Sequence, residues 1–156
     1  MMLTPKSPPR LEHIYSTYST PLYFVTVCTE ARQPILANIN VHRSFIDAAN
    51  ITQTHGATVG RYVIMPDHIH LFIRIGLTAK LEASITCLKR NITKCIHALT
   101  PNLTVWQTGF FDHLVRNSDS YSEKWNYVCQ NPVRANLVRN PNEWPYQGEL
   151  QIIDRA

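Results

Sequence analysis

Two histidines stand one residue apart in VIMPDHIHLFIRI, residues 63–75, inside a run that otherwise reads as a buried strand. An imidazole buried without a partner costs free energy, so this pair should be engaged with something. The two-residue period of a strand puts His68, His70, Phe72 and Arg74 on one face and Ile69, Leu71, Ile73 and Ile75 on the other. The second set is core. The first presents two imidazoles about 7 Å apart along the strand, close enough to share one cation. Further along, Tyr127 and Asn131 are four residues apart, the spacing that shares a helix face. Imidazole, imidazole and amide oxygen would suit magnesium or manganese and leave positions open for phosphate oxygens. Asp67 is a candidate acceptor for orienting an imidazole, although adjacent strand or turn positions point differently. A plainer reading uses the same residues: two histidines satisfied in a polar patch, a tyrosine in the core beside Trp125 and Val128, and an asparagine making a turn before Pro132.

The elements that must position these groups follow from pattern. Residues 22–29, LYFVTVCT, are β-branched and aromatic and predict the first strand. VHRSFIDAANITQTHG predicts a helix ended by Gly56, and TVGRYVIM with HIHLFIRI predicts two strands joined by a tight Pro66-Asp67 turn. Apolar residues at 81, 85, 88, 92, 96 and 99 mark one face of a helix stopped by Pro101. TVWQTGFFDHLVR reads as a fourth strand or a strand pair broken at Gly109. Ser120 with Glu123 has the form of a capping box opening a helix that carries Tyr127 and is limited by Pro132. VRANLV can add a helical turn. The order β-α-β-β-α-β-α predicts an α+β, ferredoxin-like antiparallel sheet with helices packed on it. Residues 1–21 are expected to form an extended N-terminal arm, 22–138 the catalytic domain, and 139–156 a C-terminal tail without clear pattern.

Composition narrows the partners. The chain has 156 residues and 44% hydrophobic content, enough for one domain with its own core. Four cysteines without a C-x-x-C pair signal neither a zinc knuckle nor a disulfide framework, and fit reduced thiols in the cytoplasm. No apolar run is long enough to span a membrane, and Lys6, Pro8, Pro9 and Arg10 stand where a signal peptide needs an apolar core, so neither membrane nor export is expected. Fifteen Lys and Arg against eleven Asp and Glu suit a polyanionic partner. Lys89, Arg90 and Lys94, on the polar side of the helix after Gly76, together with Arg116, Arg134 and Arg139, are the candidates for contacting a nucleic-acid backbone. The alternative for each is a solvated surface.

YFVTVCTEARQPIL, YVIMPDHIHLFI, LKR, WQTGFFDHLVR and YVCQNPVRANLV occur together, in an order and spacing that resembles the REP-associated tyrosine transposases, an IS200-like group within the HUH single-strand transposase superfamily. The resemblance runs from about Arg10 to Pro145. It implies that His68 and His70 are metal ligands, that Tyr127 is the catalytic tyrosine, and that Asn131 is a third ligand to Mg2+ or Mn2+. It also implies the HUH transposase fold and a substrate of single-stranded DNA carrying hairpin elements. Relatives from insertion sequences act as dimers that exchange helices, whereas the REP-associated type can act as a monomer; the segment after Val138 favours the monomer. Two rival readings are a non-catalytic DNA-binding relative and a metal-dependent phosphodiesterase in which water, not Tyr127, attacks.

Overall fold

The computed structural model describes residues 20–153, so almost all of the expected N-terminal arm lies outside the described residues. Five strands form one sheet: β1 (Leu22–Cys28), β2 (Ala57–Ile64), β3 (His68–Ile75), β4 (Phe111–Leu114) and β5 (Gln147–Glu149). Their spatial order is β4-β1-β3-β2-β5, every pairing antiparallel. The first four strands in that order are the ferredoxin-like arrangement expected from the chain.

Two long helices cover one face. α1 (Ile39–Thr54) starts at Asn38, whose side chain accepts from the Val41 N–H, and it ends ahead of Gly56 at φ +92°, a backbone angle that favours glycine. α2 (Leu81–His97) buries Leu81, Ile85, Leu88 and Ile92 on the apolar stripe read from the sequence. These residues join Val25, Ile69, Leu71 and Ile73 in the main core. By alternation, His68, His70 and Phe72 face the other way.

That second face is covered by α3 (Ser118–Val128), whose Tyr121 ring stacks on Phe72 with centroids 4.2 Å apart. The helix begins earlier than the Ser120-Glu123 box suggests. Asn117 is the cap, its side chain accepting from the Ser120 N–H at 2.8 Å. A separate short helix, α4 (Asn131–Arg134), carries Pro132 in its first turn, where a missing N–H costs nothing. The extra turn expected in VRANLV therefore lies further upstream, and Asn131 opens it.

Two more expectations are revised. Within TVWQTGFFDHLVR only Phe111–Leu114 is a strand; Trp106 makes a lone bridge to Thr29. The segment read as a tail without pattern is built into the domain. Asn140 and Glu143 cap a 3-10 turn at Pro141–Glu143, Trp144 packs with Val63 and Met65, and β5 pairs with β2. Its signal was missed because a three-residue strand is too short to show a period.

Candidate active site

The β2–β3 hairpin turns at Pro66 and Asp67, closed by the Met65 N–H donating to the His68 carbonyl at 2.8 Å. His68 and His70 then emerge on the α3 side of the sheet with ring centroids 4.7 Å apart, closer than the strand repeat, because the rings meet edge to face. His70 is flanked by its β1 neighbours. Thr26, its register partner, places Oγ1 2.8 Å from His70 Nδ1, and Phe24 stacks on its ring at 5.2 Å. His68 Nδ1 lies 2.7 Å from Asp67 Oδ1. Asp67 sits in the turn, outside the strand, so alternation does not carry it to the opposite face, and it does orient the imidazole.

These partners decide the protonation. A carboxylate only accepts, so His68 donates through Nδ1–H and its Nε2 is left with a bare lone pair. Thr26 can accept from His70 in the same manner. Burial lowers the pKa of His68, opposed by the hydrogen bond and charge of Asp67, with Arg32 adding to the lowering. Burial pushes His70 down to about 3, and the charges of His68, Arg134 and Arg32 act in the same direction. For Asp67, burial acts upward, but the hydrogen bonds from Arg32 and His68 outweigh it and hold the carboxyl below its usual range. The result is two neutral imidazoles side by side.

Tyr127 stands at the end of α3 with its side chain exposed, not in the core. α3 stops at Val128 and Asn131 belongs to the next helix, so the two do not share one continuous helix. Cys129 and Gln130 nevertheless keep right-handed backbone angles, and Arg134 ties the pieces together. Its guanidinium lies 4.0 Å from the Tyr127 ring centroid and donates to the Tyr127 carbonyl at 2.8 Å and to Asn131 Oδ1. The same arginine is near enough to lower the pKa of His70. Arg134 thus holds Tyr127 and Asn131 together, and its charge is felt at His70.

No group of three His, Cys, Asp or Glu able to hold a metal occurs among the described residues. A set of two imidazoles completed by an amide or phosphate oxygen fits a divalent ion all the same. The amide oxygen of Asn131 has two lone pairs, of which Arg134 takes one.

A family model described as "Transposase IS200 like" matches residues 17–131. The chain belongs to the IS200-like transposase family. It is 25% identical over 88 residues to a REP-associated tyrosine transposase of Escherichia coli K12, covering 56% of this chain and 52% of that protein. It therefore spans about half the length of that relative. It is also 22% identical over 156 residues to an uncharacterized protein of Haemophilus influenzae Rd, covering 80% of this chain and 86% of the other. Its fold is similar to the solved structure of a REP-associated tyrosine transposase bound to a REP hairpin, with a TM-score of 0.71 at 19% identity over 94% of this chain and 82% of that one.

The basic residues of this transposase-family chain divide between the two faces. Lys89, Arg90 and Lys94 lie on α2, across the sheet from the histidines. Lys89 spends two of its three donors inside the fold: its ammonium donates to the carbonyls of Gln107 at 3.1 Å and Gly109 at 2.5 Å, and burial lowers its pKa. It fastens the loop that leads into β4. Arg90 and Lys94 are exposed. Arg116 is exposed just beyond β4, at the Tyr23 end of β1, and Arg139 follows Val138, which packs near the β2–β3 hairpin. Three residues at the site escaped sequence reasoning. Lys124 lies one turn before Tyr127 and sits 5.5 Å over the Phe24 ring that stacks on His70. Strand register alone could have found Thr26. Arg32 carries no periodic signal at all.

Proposed function

We propose that the chain cleaves and rejoins single-stranded DNA at hairpin-forming sites, with Tyr127 as nucleophile and with Mg2+ or Mn2+ bound by His68, His70 and Asn131. The observation that carries this reading is a pair of adjacent imidazoles whose Nδ1 atoms are already engaged, on the face of the sheet covered by the helix that carries Tyr127. A divalent ion there would polarise the scissile phosphate and neutralise charge building on its oxygens.

The chain's own groups do the remainder. Asp67 and Thr26 fix the rings so that the outer nitrogens face the site. Arg134 holds the phenol and the amide as one unit. The Tyr127 oxygen attacks the phosphorus and loses its proton. An O–P bond forms, the bond from phosphorus to the 3′ oxygen breaks, and that oxygen leaves as a 3′ hydroxyl. The 5′ phosphate stays on the tyrosine, so another 3′ hydroxyl can reverse the step without ATP. The likeness to a REP-associated protein solved with a REP hairpin supports hairpin DNA as the partner. α3, which carries Tyr127, packs on the sheet of its own chain through Tyr121 and Phe72, which supports a monomer.

The test is incubation of the protein with labelled hairpin DNA bearing single-stranded flanks, plus manganese, followed by a denaturing gel. The reading expects a labelled protein band. Cut DNA without that band would favour hydrolysis by water, and uncut but bound DNA a non-catalytic binder.

A further inference from the structure

The link between β1 and α1 passes through Glu30–Arg32, where two consecutive residues other than glycine, Ala31 and Arg32, both adopt φ 53°. Side chains rarely accept that left-handed backbone, and where it persists the surroundings impose it, commonly at functional sites. Here it brings the Arg32 guanidinium beside the first histidine. Nε donates to Asp67 Oδ2 at 2.9 Å, and Nη2 lies 3.3 Å from His68 Nδ1.

The second contact cannot be a hydrogen bond to that histidine. His68 Nδ1 spends its proton on Asp67 Oδ1 at 2.7 Å and keeps no lone pair for a donor. Both Nη groups are therefore left without a protein acceptor among the described residues, while the side chain is 53% exposed. An exposed ion pair contributes too little to account for two left-handed residues. A planar fork held at a fixed angle, with free donors at the rim of the site, matches an anion that can offer it two oxygens, as a phosphate does.

We propose that Arg32 contacts a backbone phosphate of the single-stranded substrate next to His68, its pose fixed by Asp67 and by the left-handed turn. This rests on the DNA-cleaving reading above and adds a substrate contact to it. The guanidinium would then pin the strand while the imidazole beside it stays neutral.

The experiment titrates the full chain with fluorescein-labelled oligothymidylate across a range of salt, and measures manganese affinity separately by paramagnetic resonance. Arg32→Gln should weaken DNA binding several-fold and flatten the slope of log affinity against log salt by about 0.7, the value for one contact to a single strand. Arg32→Lys should keep the slope, since charge remains, with part of the affinity lost. Manganese affinity should stay within about twofold in both variants, whereas Asp67→Asn should lower it by roughly tenfold or more. An unaltered slope in Arg32→Gln overturns the proposal, and so does a tenfold loss of manganese affinity without a change of slope, which would make Arg32 a positioning residue for His68. If the slope falls as expected but hairpin DNA never becomes attached to protein, the cleavage reading fails and the phosphate contact stands.

Discussion

His70 has given up its charge to the fold. In an unfolded chain it takes up a proton near pH 6.5, whereas in the native sheet burial, His68, Arg134 and Arg32 delay protonation to about 3. Between those values the unfolded state binds more protons, so stability is fully present above about pH 6.5 and is lost as pH falls toward 3, by up to about 1.4 kcal/mol per pH unit for one such group. His68 is shifted in the same direction. Urea unfolding at successive pH values should show the midpoint falling through the weakly acid range, before ordinary carboxylates titrate. His70→Phe, which keeps an aromatic ring against Phe24, should flatten that dependence. An equally steep curve in the variant would mean that the imidazole is not held neutral by the fold.

At the scale of elements, the site depends on connections more than on regular structure. The 3-10 turn at Glu30–Arg32 holds two residues in a conformation that costs an L side chain about 1–2 kcal/mol each. Glycine adopts it freely but adds about 0.5–1 kcal/mol of backbone entropy to lose on folding. Ala31→Gly should therefore stabilise the chain, by about 0.5–1 kcal/mol in denaturant titration. A loss of stability would show that the left-handed angle is not a strained one. This turn was illegible in the sequence, because nothing in EAR marks a positive φ in the absence of glycine or asparagine. The strands and long helices were legible because their apolar periods are long and regular. The break between Val128 and Asn131 was partly legible: Pro132 announced it, but not that proline would open a new helix whose Arg134 bridges the gap.

Across the whole molecule the sheet separates two basic surfaces. α1 and α2 occupy one face, and the histidines with α3 the other. If DNA runs over the histidine face, then Arg90 and Lys94, though exposed, lie away from its path. The double variant Arg90→Ala, Lys94→Ala should leave the salt slope for oligothymidylate unchanged. A drop of about 1.4, the value for two lost contacts to a single strand, would put the strand across α2 instead. Sequence alone placed the basic cluster on a helix correctly, but could not say which side of the sheet that helix covers. The reason is physical: an amphipathic stripe fixes which residues face the core, and only the handedness of the connections fixes the layer. The C-terminal segment shows the same limit, since β5 draws its stability from pairing with β2 and not from a pattern of its own.

The central claim is that the Tyr127 oxygen becomes joined to the 5′ phosphate of the cut strand. Cleavage by trypsin after Lys124 and Arg134 releases WNYVCQNPVR, in which Tyr127 is the only tyrosine. After reaction with hairpin DNA and manganese, followed by nuclease trimming, mass spectrometry of that peptide should show a nucleotide on Tyr127 in the wild-type chain and none in Tyr127→Phe, while the variant still binds DNA within a few-fold of wild type. DNA cleaved at an undiminished rate by Tyr127→Phe, or a nucleotide found on another residue, would contradict the account.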